Sequence, residues 1–381
     1  MDRIYLDNSA TTPIAPEVFQ VMMSALKEKF GNPSSLHWAG QEAKSSIEDA
    51  RNTIAREIGA LPEEIIFTSG ATEANNLALM GTLSFSAAEK KQILVSAIEH
   101  HSVLHVVREL EKKGVEVTYL PVDENGIVDS SLVEQFIQPF TILISIMMVN
   151  NEVGSIQRIA EIGKLAHEQN ILMHTDAVQA IGLHKIDVNE LNVDLMSISA
   201  HKIYGPKGIG ALYIKKGTLM QAILFGGPQE MGLRAGTENV SGILGFGKAV
   251  GLLADHRTGD YVHIQELKDR LINGLSQSIK NIHFNGSPEG TSPHILSVSF
   301  PGVDGEALLV HLNKLGIAVS MGSACNSKSI EPSHVLLAMG MSKELMGGTI
   351  RISLGRFSTE EEVDCFLRVL PEFVRSSQIL A

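Results

Sequence analysis

Ser197-Ile198-Ser199-Ala200-His201-Lys202-Ile203-Tyr204-Gly205-Pro206-Lys207-Gly208-Ile209-Gly210 joins an apolar run that begins at Asp194 to a polar step and then to a glycine-rich turn. The run has the length and pattern of a strand inside a sheet. A lysine at such an exit must have its ammonium desolvated or paired. One chemistry uses that placement: a lysine whose pKa falls in its surroundings forms a Schiff base with an aldehyde cofactor. A solvated structural lysine is the alternative.

On both sides of this stretch, strand and helix patterns alternate. Strands are expected at 64–68, 92–98, 115–120, 141–149, 171–175, 194–199 and 211–215, with helices between most of them. Near-continuous apolar strands separated by helices imply an α/β fold, a mostly parallel sheet covered on both faces. Ahead of them lie an extended arm at 1–12, a helix at 16–29, and a second helix to about Ile58 that Ser34 or Ser35 is positioned to cap. Beyond about Gly236 the pattern changes to long helices at 240–255 and 261–279, then shorter strands and helices, which suits a smaller α+β domain.

The chain has 381 residues, 44% hydrophobic and 19% charged, enough for a large buried core and about two domains. A net charge of −12 argues against nucleic acid or an anionic membrane as the main partner. The first residues have no charged-then-apolar leader pattern, and no apolar run reaches membrane-spanning length. With only two cysteines, reduced thiols and a cytoplasmic location are expected.

Several strand ends carry chemistry. Ser69-Gly70-Ala71-Thr72 follows a strand and opens a helix, so its backbone N–H groups suit an anion such as phosphate; an ordinary capped turn is the alternative. Asp176 ends another strand, where a carboxylate can pair with a pyridinium nitrogen or cap a helix. His100, in Glu99-His100-His101-Ser102, can lie over a cofactor ring and carry protons. Asn150-Asn151-Glu152 offers amides at a strand edge, for a phenolic oxygen or for capping. Arg351 alternates with apolar residues in a strand, as an inward carboxylate-binding arginine or a structural ion pair.

Cys325 lies in a small, polar stretch, Gly322-Ser323-Ala324-Cys325-Asn326-Ser327-Lys328, and is expected to be accessible, as a nucleophile or as an incidental surface thiol. Cys365 sits among Val363, Phe366 and Leu367 and is expected to be buried. No zinc or iron signature is present. Gly242-Ile243-Leu244-Gly245-Phe246-Gly247-Lys248-Ala249 approaches a phosphate-loop spacing, but Ala249 replaces the magnesium-binding hydroxyl and the stretch has a helical pattern.

Together these stretches resemble the cysteine desulfurases of the NifS and IscS type, pyridoxal-phosphate enzymes of the class-V aminotransferase family. The resemblance runs from Ile4-Tyr5-Leu6-Asp7 to Arg351-Ile352-Ser353-Leu354-Gly355-Arg356-Phe357, through Phe30-Gly31-Asn32-Pro33-Ser34, Phe67-Thr68-Ser69-Gly70-Ala71-Thr72-Glu73, Asn150-Asn151-Glu152-Val153-Gly154 and Gly322-Ser323-Ala324-Cys325. It implies fold type I, with a mostly parallel seven-stranded sheet in a large domain at 13–255. A small domain at 1–12 and 256–381 would carry the cysteine loop.

The resemblance makes Lys202 the Schiff-base lysine, Asp176 the pyridinium partner and His100 the ring-stacking proton carrier. Asn151 and Gln179 would lie near the phenolic oxygen of pyridoxal 5'-phosphate. Ala71, Thr72, Ser199 and His201 would hold its phosphate, and Thr237 would reach the phosphate of a neighbouring subunit in a homodimer. Asn32 and Arg351 would hold the carboxylate of L-cysteine, and Cys325 would take its sulfur. A sulfur-acceptor protein, an iron–sulfur scaffold or a tRNA-thiolation enzyme, is the implied partner. A selenocysteine lyase on the same scaffold and an inactive sulfur-relay partner are the alternatives. The sequence departs from the family pattern at Ala200, Met321 and Asn326, and the C-terminal extension with which some members dock the scaffold is expected to be absent.

Overall fold

A computed structural model describes residues 3–287, 290–321 and 332–380. Its strands are β1 Ile4–Tyr5, β2 Ile65–Thr68, β3 Gln92–Ser96, β4 Glu116–Leu120, β5 Thr141–Ser145, β6 Leu172–Asp176, β7 Leu195–Ser199, β8 Gly210–Ile214, β9 His283–Phe284, β10 Ile295–Ser299, β11 Ile317–Ala318 and β12 Thr349–Ser353. The helices are α1 Pro16–Glu28, α2 Trp38–Glu57, α3 Ala71–Phe85, α4 His101–Glu111, α5 Ser130–Phe136, α6 Ile159–Glu168, α7 Val240–Gly251, α8 Leu253–Ser278, α9 Gly305–Lys314, α10 His334–Ala338, α11 Lys343–Gly347 and α12 Glu360–Leu380.

Among the described residues, one sheet has seven strands in the order β2-β8-β7-β6-β5-β3-β4. All share one direction except β8, which is antiparallel to both β2 and β7. The reversal has a simple cause. A parallel return needs a crossover of about a dozen residues or more, and only 200–209 separate β7 from β8.

Alternation along the strands sends neighbouring side chains to opposite faces. Phe67, Leu94, Ile144, Met196 and Tyr213 pack with Ile54 of α2 and Phe246 of α7. Ile66, Val95, Leu143, Leu195 and Leu212 pack with Leu77 of α3 and Val107 of α4. With both faces covered, the central strands are buried throughout, as β3 and β7 are, while the edge strand β4 is half-exposed. A separate core joins Leu267 and Leu271 of α8, Val298 of β10, Ile352 of β12 and Phe366 of α12 to Ile4 and Leu6 of the N-terminal arm. Cys365 is only half-buried against that core, less covered than its apolar neighbours suggest.

Three local expectations need correction. The helix at 38–57 is capped by His37, whose Nδ1 accepts from the Gly40 N–H at 3.4 Å, and not by Ser34 or Ser35. The long helices divide at Leu252, so α8 already contains 255–261. Two short helices, α10 and α11, follow where none was expected. The glycines of the near phosphate-loop spacing lie inside α7, where a Cβ on Gly247 would meet Ala50 of α2 at 2.6 Å. They permit close helix packing.

The edge of the sheet is tied to α2 by a buried ion pair. Arg51 meets Glu230 at 2.7 and 2.9 Å, donates to the Ile65 carbonyl at 2.5 Å, and stacks over the Phe67 ring at 4.7 Å. Glu230 also accepts from the Phe67 N–H at 2.7 Å. These bonds hold Glu230 and Met231 at φ of 45° and 57°, in the left-handed region that non-glycine residues rarely adopt. The segment leading to Thr237 is thereby fixed to β2.

Candidate active site

Parallel strands present their C-terminal ends at one edge, where ligands of such sheets bind. β6 ends in Asp176, buried, with Oδ2 accepting from Asn75 Nδ2 at 2.8 Å and Oδ1 from the Val178 N–H at 3.0 Å. After β3 the chain reaches His100, the cap of α4, whose Nδ1 accepts from the Ser102 N–H at 3.1 Å. Burial depresses the His100 pKa, Asp176 opposes that shift, and Lys202 adds to it. The imidazole is therefore neutral near pH 7, and it feels both the carboxylate and the amine.

β7 ends in Ser199 and runs into the short turn Ala200–Lys202. The Lys202 ammonium donates to the carbonyls of Ser9 and Ala10, the latter at 2.7 Å. Tyr204 locks the turn from below with a φ of 65°, a conformation costing about 1–3 kcal/mol for a non-glycine residue. Its N–H donates to Thr12 Oγ1 at 2.8 Å, and its hydroxyl accepts from the Arg356 N–H at 2.6 Å. His201 Nδ1 lies 3.2 Å from Thr11 Oγ1. Burial, then Lys202 and Lys207, push its pKa down to about 4, so it too is neutral.

The turn before α3 places Gly70 at a φ of 153° with open space where a Cβ would stand. The first N–H groups of a helix have no partner within it, so Ala71 and Thr72 offer theirs to a ligand. Glu73 braces the turn, accepting from the Ser69 N–H at 2.7 Å and from Arg234 Nε at 2.9 Å.

Arg351, buried on β12, donates to Asp7 Oδ1 at 2.9 Å and to the Asn151 carbonyl at 2.8 Å. It is thus an ion-paired arginine, yet its buried Nε has no partner among the described residues. Gln179 donates from Nε2 to the Ser9 carbonyl at 2.9 Å, so it and Lys202 share one acceptor.

The structure thus links Lys202, Gln179, His201 and Arg351, and through Arg351 Asn151, to the arm at Asp7–Thr11, and sets His100 within electrostatic reach of both Lys202 and Asp176. Ser199 is buried at the end of β7 and Ala71 is half-buried. Thr72 and Thr237 are exposed. Asn32 is exposed and folds onto its own turn, accepting from the Ser34 N–H at 2.9 Å. Cys325 lies outside the described residues. On either side of them, Ser320 exchanges backbone hydrogen bonds with Arg351 at 3.1 and 2.6 Å, and Ser333 donates to Glu152 at 2.5 Å.

Sequence reading missed Asp7, Ser9, Asn75 and Glu99. Glu99, next to His100 in the chain, is fully buried, and burial drives its carboxyl pKa up to about 8 against bonds from Ser96 and Met147. Its position directly after the β3 segment was the available signal. Asn75 lies on α3 one turn beyond the Ser-Gly-Ala-Thr turn, a spacing that places it on the inner face.

A fixed carboxylate, two neutral imidazoles, an amine and an open helix N-terminus form the donor set of a pyridoxal-phosphate site. Asn75 Oδ1, beside Asp176, is buried without a partner among the described residues, as a group awaiting a ligand-side neighbour would be. The residues fit that cofactor, and the sheet is that of the enzymes which use it. The Aminotransferase class-V pattern matches residues 4–366. The cysteine desulfurase IscS of Dictyoglomus turgidum is 47% identical over 378 residues, 99% of this chain and 96% of that protein. A solved NifS-like protein superposes with a TM-score of 0.93 at 39% identity, covering 98% of this chain and 100% of the other. SspA, solved in complex with cysteine, gives 0.84 at 38% identity over 93% of this chain and 100% of its own. The chain belongs to the class-V aminotransferases, and within them to the pyridoxal-phosphate-dependent cysteine desulfurases.

Proposed function

We propose that this protein takes sulfur from L-cysteine, releases L-alanine, and carries the sulfur as a persulfide on Cys325. The observation that carries this reading is the convergence of Lys202, Asp176 and His100 at one sheet edge, with Arg351 beside them, in a chain of desulfurase family. Pyridoxal phosphate, when bound, supplies an electron sink that acidifies the substrate Cα–H. Lys202 holds the cofactor and moves the Cα proton; Asp176, oriented by Asn75, keeps the ring nitrogen protonated. His100, a neutral imidazole, would be able to take or return a proton beside the cofactor. Gln179 and Asn151 donate near the phenolic oxygen, while Ala71, Thr72, Ser199 and His201 hold the phosphate. Arg351 binds the substrate carboxylate with Asn32. The Cys325 thiolate attacks the substrate sulfur; the S–S bond forms as the C–S bond breaks, and a proton takes up the electron pair left on carbon.

The test is mass measurement of the Cys325 peptide after incubation with cysteine. One added sulfur is expected, with alanine formed in equal amount; alanine without the added sulfur would sink the assignment. Offering the loaded protein to an iron–sulfur scaffold or a tRNA-thiolation enzyme then distinguishes the acceptors. No helix among the described residues is long and apolar enough to cross a membrane, and the reading places the protein in the cytoplasm.

The same reading includes a homodimer, to which Thr237 contributes. Its support is a set of exposed apolar side chains: Phe19, Met23 and Leu26 on α1, Phe30 and Trp38 beyond it, and Phe225 and Met231 before Thr237. Such concentrations mark interfaces. Sedimentation at micromolar concentration is expected to give twice the chain mass of 41.2 kDa; a monomer would overturn this. The division into a large domain at 13–255 and a small one at 1–12 and 256–381 belongs to the same proposal.

A further inference from the structure

Behind Lys202 lies a row of buried polar groups, His184, Ser292 and His294, that the mechanism above leaves unused and that leads to Gln179. His184 Nε2 is 2.8 Å from Ser292 Oγ, Ser292 Oγ is 2.9 Å from His294 Nδ1, and His294 Nε2 is 3.1 Å from Gln179 Oε1. Gln179 closes the row by donating from Nε2 to the Ser9 carbonyl at 2.9 Å, the acceptor it shares with Lys202. Ser292 is fully buried, and His294 and Gln179 nearly so.

The directions of these bonds follow from the one group that can only accept. Because the Ser9 carbonyl takes a proton from Gln179, the amide nitrogen points to Ser9 and the amide oxygen to His294. An oxygen there requires a donor, so His294 carries its proton on Nε2. Its Nδ1 then accepts from the Ser292 hydroxyl, and Ser292 in turn accepts from His184 Nε2. A doubly protonated His294 would satisfy Gln179 equally, but its surroundings forbid that form. Burial, then His184, Lys268, Lys202 and Arg351, hold its pKa down to about 3. Lys268 is itself buried and donates to the Ser292 carbonyl at 3.1 Å. The row therefore has one hydrogen arrangement.

We propose that His294 is a positioning residue whose Nε2–H fixes the amide of Gln179, so that its NH₂ group serves Ser9 with one hydrogen and faces the cofactor's phenolic oxygen with the other. Gln179, Lys202 and His294 line one pocket, so the amide, the amine and the imidazole border a common space. The inference rests on the placement of Gln179 beside the phenolic oxygen proposed above. Its test is chosen to separate the two.

The readout is the pH midpoint at which the visible absorption band of the bound cofactor changes form, measured without substrate. A donor on the phenolic oxygen withdraws charge and lowers that midpoint, so losing it raises the midpoint. Gln179→Leu and His294→Leu are both expected to raise it by about one unit, the scale of one hydrogen bond to a charged group. His294→Gln, which returns an N–H near the place of Nε2, is expected to stay within about 0.3 unit of the parent. Ser292→Ala, which frees the tautomer, should raise the midpoint by a smaller amount.

If Gln179→Leu shifts the midpoint and His294→Leu does not, the role of His294 falls while that of Gln179 stands. If neither shifts it, the placement of Gln179 falls and takes the inference with it. A His294→Gln midpoint as high as that of His294→Leu would mean that packing, not the donor, matters, and would overturn the proposal. Should His294→Leu fail to fold, Ser292→Ala decides: an unchanged midpoint there counts against His294.

Discussion

Cys325→Ala protein is expected to bind its cofactor with an unchanged absorption spectrum and to release alanine from cysteine at least ~10³-fold more slowly, the scale on which deleting a covalent nucleophile acts. The two readouts separate because they depend on different parts of the molecule. The spectrum belongs to the strand ends, where Lys202, Asp176 and His100 are held by the sheet and the N-terminal arm. Sulfur removal is assigned by the proposal to the Cys325 thiol; of the described residues flanking it, Ser320 bonds to Arg351 and Ser333 to Glu152. Stopped-flow absorbance with cysteine should still report substrate binding in the variant, while an alanine assay reports the missing step. Desulfuration at the parent rate would show that Cys325 is not the acceptor. Retained release from selenocysteine alone would favour the lyase reading, since a selenium–carbon bond can break without that thiol.

Lys202→Ala should have an effect as large by a different route. In the proposed mechanism the amine is both the tether for the cofactor and the base for the substrate Cα proton, so its loss is expected to abolish the tethered cofactor's visible band and to cut turnover by at least ~10³-fold. The variant also removes a donor from the Ala10 carbonyl, while the Ser9 carbonyl keeps Gln179, and losing a hydrogen bond of this kind costs about 0.5–1.5 kcal/mol. A lower unfolding temperature of the cofactor-free variant is therefore expected alongside the lost band. Addition of a small primary amine should restore part of the turnover. Parent-level activity with no band would refute the role of Lys202.

The strand ends were legible because each one interrupts an apolar run with a residue that an ordinary buried sheet has no use for. Asp176 and Lys202 stand out in this way, and the structure places both at the C-terminal edge. What was not legible depends on partners far away in sequence. Nothing near Asp7 announces that it pairs with Arg351, 344 residues on. His294 looks like the start of an ordinary strand, and only its contact with Gln179 gives it meaning. Helix boundaries failed for local reasons. His37 caps with a ring nitrogen, outside the usual hydroxyl and amide set. Leu252 divides two helices just after Gly251, one of several glycines in an apolar helical run, so that glycine does not stand out as a break. α10 and α11, five residues each, are too short to show a helical period.

The N-terminal arm has a consequence for how the protein is made. Ser9 accepts from Lys202 and Gln179 through its carbonyl, and its own N–H donates to Ser353 Oγ. Leu6 and Asp7 are seated against Ala318, Ser353 and Arg351. Synthesis at about 5–20 residues per second delivers Arg351 344 residues after Asp7. Leu6, Asp7 and Ser9 must therefore wait for these partners while that length of chain is made. The large sheet has every strand it needs once Ile214 is out, so the frame of the enzyme can stand before its chemistry is in place. Arg351 and Ser353, which seat the arm beside Lys202, join that frame later.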